Sequence, residues 1–198
     1  MNRLLATAAS ILGLTATPAL AQDLTITNAR LVLGDGGTPI DGGTVIVRGG
    51  AVVYAGAAGG AGSAVPASGS TIDAGGAWVT PGLFATVTTL GLADVDAVGD
   101  SNDTRAGGSP FSAALDASNS INPTSQNILV HRAAGITRAA TSLAPSGSIF
   151  AGQGAIIDLD GDAFPVVTPR AFQMIDLGEN GARLAGGSRP AAIALLKA

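Results

Sequence analysis

Apolar residues in this chain come in short runs that glycine repeatedly breaks, a pattern of strands and tight turns. Leu24 to Leu33 is rich in β-formers and ends at Gly34-Asp35-Gly36-Gly37, which predicts a strand and a turn. Thr44 to Arg48 and Ala51 to Ala55 flank Gly49-Gly50 and predict a hairpin. Gly56 to Ser70 has no periodicity and predicts a loop, after which Thr71-Ile72-Asp73 and Ala77-Trp78-Val79 predict two short strands.

The second half carries a different rhythm. Ser125 to Ala134 has a short helical pattern with Ile128, Leu129, His131 and Arg132, and Gly135 stops it before the strand-like Ile136 to Thr141. Helix, glycine and strand in that order predict a parallel α/β unit with a left-handed helix cap. Pro165-Val166-Val167 predicts a short strand and Pro169 to Leu177 a helix, ended by Gly178-Glu179-Asn180-Gly181. Arg189 to Leu196 predicts a last helix with proline in its first turn, breaking off after about two turns as a truncated protein would.

At the N-terminus, Arg3 precedes an apolar run that closes on Ala19-Leu20-Ala21. That is the layout of a secretory signal peptide, too short to span a bilayer, so residues 1–21 are expected to be removed and the mature chain to start at Gln22 in the periplasm or outside the cell. Loss of Arg3 leaves nine basic residues against fourteen acids, a formal charge of −5. With Lys197 as its only lysine, the chain has no basic patch for nucleic acid or anionic membrane. The absence of cysteine excludes disulfides, thiolate metal sites and cysteine nucleophiles.

Three stretches carry a family resemblance. Asn28 to Leu33 (NARLVL), Gly43 to Gly50 (GTVIVRGG) and Ile72 to Leu83 (IDAGGAWVTPGL) follow one another in the order and spacing of the composite β-sandwich that opens many members of the amidohydrolase superfamily. Ile121-Asn122-Pro123, Arg132 to Ala139 (RAAGITRA) and Gly147 to Gly161 (GSIFAGQGAIIDLDG) resemble the early barrel of its exported, imidazolonepropionase-related members. The resemblance implies an α/β fold: a β-sandwich-like domain over residues 22–81, then the first βα units of an incomplete TIM-type barrel over residues 82–198. A complete (β/α)8 barrel takes about 250 residues, so the chain is expected to hold only part of one. Completion by a partner chain or a second copy is the expected remedy for an open barrel.

The family reaction is hydrolysis of carbon–nitrogen bonds in amides or cyclic imides by a metal-activated water. Its two first-strand histidines would fall on Val87 and Thr89, so zinc, the metal of the resembled family, is not expected as a cofactor here and no residue is assigned a catalytic, cofactor-binding or metal-ligating role.

Other candidates reduce to ordinary structure. His131 is the single histidine, where a hydrolytic zinc site takes about three protein ligands, and is read as a surface or packing residue on the outer helical ring. Asp158, Asp160 and Asp162 sample a calcium-loop spacing, but Pro169 occupies the position of the bidentate acid, so a hairpin turn at Asp160-Gly161 is expected. Asp94, Asp96, Asp100 and Asp103 read as a solvated loop. Ser146, Gly147 and Ser148 lack the Gly-x-Ser-x-Gly elbow, and Gly152-Gln153-Gly154 lacks a phosphate-loop lysine and reads as a tight turn.

Overall fold

The computed structural model describes residues 23–60, 69–95 and 97–198, so the expected leader over residues 1–21 and part of the expected loop lie outside the described residues. The chain divides into two units, residues 1–81 and 82–198.

The first unit is built on β1 (Leu24–Leu31), β2 (Ile40–Arg48), β3 (Ala51–Ala57), β4 (Ser70–Asp73) and β5 (Trp78–Val79). β2 and β3 form the expected antiparallel hairpin, with Gly49 and Gly50 both at positive φ (53° and 79°), the conformation a two-residue hairpin turn demands. β1 is the hub. It pairs antiparallel with β2 and, along its other edge, parallel with β4 and then with β5. Asn28 takes a left-handed φ of 53° where the register slips between Ile26 and Ala29; its amide donates to Asp73 Oδ1 at 3.1 Å. Where a β-sandwich-like domain is expected, the described residues of this unit form one five-stranded sheet, in which β2, β4 and β5 pair with β1 and β3 pairs with β2. Arg30 lies over the Trp78 ring at 4.4 Å and pairs with Asp41 at 3.5 Å.

The second unit holds β6 (Leu83–Thr88), α1 (Gln126–Ala133), β7 (Ile136–Thr141), β8 (Phe150–Asp158), β9 (Val166–Ile175), α2 (Glu179–Leu184) and α3 (Arg189–Lys197). The sheet order is β6-β7-β8-β9. β6 and β7 are parallel, joined by a crossover through α1, and Gly135 ends that helix at φ 91° as expected. Ile128 drops from α1 onto Leu90, Ala139, Ile157 and Leu159 to form the core.

Beyond β7 the expectations need correction. The sheet does not continue as a series of βα units: β7, β8 and β9 run antiparallel as a meander, leaving one βα crossover among the described residues. The segment from Pro169 to Leu177, expected to be helical, belongs mostly to strand β9. β8 is buried along most of its length, and its free edge needs hydrogen-bond partners that a strand supplies and a helix cannot. Pro169 falls where β9 carries extra residues relative to β8, in a bulge that sets Arg170 at φ 51°. Gly178 to Gly181, expected to end a helix, instead starts α2, with Gly178 N–H donating to Asp176 Oδ1 at 2.7 Å.

Gly152-Gln153-Gly154 is not a turn but the middle of β8. Gly152 sits at φ 102° with the Leu115 backbone where a Cβ would go, and Gly154 leaves room for the Phe172 ring. α3 begins at the Ser188 cap, whose hydroxyl accepts from Ala191 N–H at 3.3 Å, with proline in its first turn. No described helix is long and apolar enough to cross a membrane.

Candidate functional site

The C-terminal ends of β6 and β7 meet in a lattice of hydroxyl bonds. Thr88 Oγ1 donates to the Ala140 carbonyl at 3.0 Å and accepts from Leu90 N–H at 3.3 Å. Thr141 Oγ1 donates to the Leu90 carbonyl at 2.8 Å, and Ser142 N–H donates to the Thr88 carbonyl at 3.0 Å. These bonds fix both strand ends and hold open two clefts that share Val87, Thr88 and Thr89.

One cleft, of about 280 Å3, continues along Ser142, Leu143, Ala144 and Pro145 to Met174. The other, of about 370 Å3, runs past Leu90 to Asn127 and His131. Val87 and Thr89, the positions that the resemblance gives to the two histidines, therefore line common space at the end of β6. Val87 is 72 % exposed and offers only hydrocarbon. A threonine hydroxyl is a poor zinc ligand, and neither cleft is lined by a carboxylate, so this donor set does not fit a catalytic zinc.

His131 requires a correction. Expected away from the strand ends, it instead lines the second cleft with Val87 to Leu90. Its Nδ1 lies 2.7 Å from the Asn127 carbonyl, one helical turn back, which accepts from the ring N–H.

The acids lie elsewhere. Asp158, Asp160 and Asp162, at the β8–β9 hairpin, bring one oxygen each within 4.8 Å of one another, the one such trio among the described residues. Two of these carboxylates are engaged in the turn: Asp160 Oδ1 accepts from Asp162 N–H at 2.9 Å and Asp162 Oδ1 from Phe164 N–H at 2.6 Å. Burial, then the neighbouring charges of Asp160 and Asp162, push the Asp158 carboxyl above its ordinary range, against the pull of Arg138. Asp94, Asp100 and Asp103 lie in the segment after β6 and join no such trio; Asp96 is outside the described residues.

Ser146, Gly147 and Ser148 line a third cleft, of about 180 Å3, with Ser109, Phe111 and Phe150, and no histidine or acid reaches it to build a triad. The residues missed in the sequence are Thr88, Thr141 and Ser142. Their signal is a hydroxyl at the end of each of two strands expected to be parallel.

No family model and no curated protein matches the chain. Among solved structures, an amidohydrolase from Thermotoga maritima MSB8 superposes with a TM-score of 0.71 at 20 % identity, over 88 % of this chain and 45 % of that one. The chain thus shares the fold of that amidohydrolase while spanning less than half its length. An L-hydantoinase (dihydropyrimidinase) from Arthrobacter aurescens is 36 % identical over 38 % of this chain and 15 % of its own, with a TM-score of 0.28, too short a likeness to define a common fold.

Proposed function

We propose that this chain is a partial, degenerate amidohydrolase-like protein without hydrolase activity of its own, exported to the periplasm or beyond the cell. The observation that carries the reading is the pair Val87 and Thr89 at the end of β6, where the resembled family would hold its first two metal ligands. With one histidine and no cysteine in the whole chain, the water that hydrolyses amides or cyclic imides in that family lacks the ion that would activate it. What β6 and β7 retain is the scaffold of such a site without its metal chemistry.

A second reading has its own support. β6 ends the sheet with Leu83, Phe84 and Val87 at 57, 48 and 72 % exposure. A non-catalytic subunit that completes its barrel against a partner chain, or a second copy, would cover them.

The test is elemental analysis of the purified chain together with an assay on amide and cyclic imide substrates. The expected outcome is well below one zinc per chain and no turnover above background. Stoichiometric zinc retained through gel filtration, or metal-dependent hydrolysis, would overturn the reading. Export is tested by N-terminal sequencing of the expressed protein, expected to begin at Gln22; an intact Met1 in the cytoplasmic fraction refutes it.

A further inference from the structure

We propose that Asn102 is an acceptor for an N-linked glycan, its Nδ2 taking the sugar from a lipid diphosphate outside the cytoplasm. The proposal rests on the export reading above, since the glycan is transferred on that side of the membrane.

Asn102-Asp103-Thr104 is the one Asn-x-Ser/Thr run in the sequence whose middle residue is not proline. Asp100 stands two residues earlier, an acid at the position that bacterial acceptor motifs add to this pattern. The run lies between β6 and α1, directly after a short 3-10 turn over Gly99–Ser101, and Asp100 and Asp103 are exposed. A bulky glycan requires such a surface segment.

The fold holds the reactive amide in one orientation. Asn102 Oδ1 accepts from Thr104 N–H at 3.0 Å and from the Thr104 hydroxyl, so the oxygen of the carboxamide is committed within the motif. The backbone beside it is tied down as well, with Asp103 N–H donating to the Leu92 carbonyl at 2.7 Å and Ala144 N–H to the Thr104 carbonyl at 2.8 Å. Nδ2 donates to no group among the described residues and is not among their buried unpartnered atoms, so it faces water and is open to reaction. Asn122-Pro123-Thr124 supplies a contrast within the same chain. Asn122 Oδ1 accepts from Thr124 N–H at 3.0 Å and from its hydroxyl at 2.8 Å, the same side-chain arrangement, but Pro123 fixes the backbone and removes an N–H, which excludes this run as an acceptor.

In the transfer, Nδ2 forms a bond to the anomeric carbon of the sugar. The bond from that carbon to the diphosphate oxygen breaks, and its electron pair leaves with the lipid diphosphate. Nδ2 gives up one proton to a base of the transferase and keeps the other.

The test expresses the full chain in a bacterium that carries a periplasmic oligosaccharyltransferase and its lipid-linked oligosaccharide, once with its own leader and once with residues 1–21 replaced by an unrelated cleavable leader. Intact-mass measurement is expected to show a gain of one glycan, and peptide fragmentation to place it on Asn102. Asn102→Gln and Thr104→Val should lose the gain, and Thr104→Ser, which keeps the hydroxyl, should retain it. An exported chain that starts at Gln22 without a glycan, a glycan on Asn122, or one that persists in Asn102→Gln would overturn the proposal. The two leaders separate this inference from the reading beneath it: a chain held in the cytoplasm by its own leader but glycosylated behind the substitute refutes export and leaves the site standing, whereas no glycan behind either leader refutes the site.

Discussion

Asp158 carries a charge that its surroundings disfavour. Its Oδ1 is buried without a partner among the described residues, and burial with two neighbouring acids raises its carboxyl above the ordinary value of 3.8. The folded chain therefore holds this proton more tightly than the unfolded chain. The resulting penalty is absent below about pH 3.8 and grows as pH rises through the higher folded value. Asp73 and Asp176 act in the opposite sense. The Gly75 and Gly178 amides, then Asn28 and Asn180, hold their carboxyls below the usual range, so that stability is present above 3.8 and lost as pH falls through the folded values. Asp158→Asn is expected to raise Tm at pH 7, with an advantage that shrinks toward pH 4; thermal melts across that range check it, and a variant less stable at pH 7 refutes it. Gly152 is a second residue with a definite cost. Alanine there would combine a φ of 102° with overlap on the Leu115 backbone, so Gly152→Ala should lose about 2–4 kcal/mol in urea unfolding. Neither effect is legible in the sequence, where Asp158 reads as the approach to a hairpin turn at Asp160-Gly161 and Gly152 as a turn. Burial and φ are set by which strands meet, and that lies beyond local pattern.

Among elements, those with local causes are legible. α1 and β7 follow from a short helical pattern stopped by Gly135, and the β2–β3 hairpin from Gly49-Gly50. β9 is not legible, because a proline that opens a helix and a proline that sits in a bulge look alike until the buried neighbour β8 is known. The candidate site is half legible. Val87 and Thr89 can be found by resemblance, but His131 reaches the cleft only because α1 crosses behind β6 and β7. Ile128 ties that helix to the sheet at 1 % exposure, and Ile128→Ala should cost about 2–5 kcal/mol by denaturant titration. Ser125, fully buried, donates to the Ala93 carbonyl at 2.7 Å, and Ser125→Ala should cost about 1–3 kcal/mol by leaving that oxygen unpaired. A loss below a few tenths of a kcal/mol in both variants would mean that α1 does not anchor this core.

On the scale of the whole molecule, exposed hydrocarbon is the dominant feature of the second unit. Besides β6, the helix α3 leaves Ile193, Leu195 and Leu196 at 40, 47 and 39 % exposure, and water penalises such surface at about 25 cal/mol per Å2. The isolated chain is expected to bind a hydrophobic dye and to self-associate in light scattering; a stable, dye-silent monomer would remove the support for a missing partner. The two ends of the second unit's sheet are unlike, however. β6 carries neither charge nor proline, whereas β9 presents Pro169 and the bulge at Arg170 along its outer edge. In the language of polymerisation, this sheet is a monofunctional monomer: one end can react and the other is capped. Growth through it terminates after a single addition, and a cross-β ladder, which consumes two open ends per copy, has no route to propagate here.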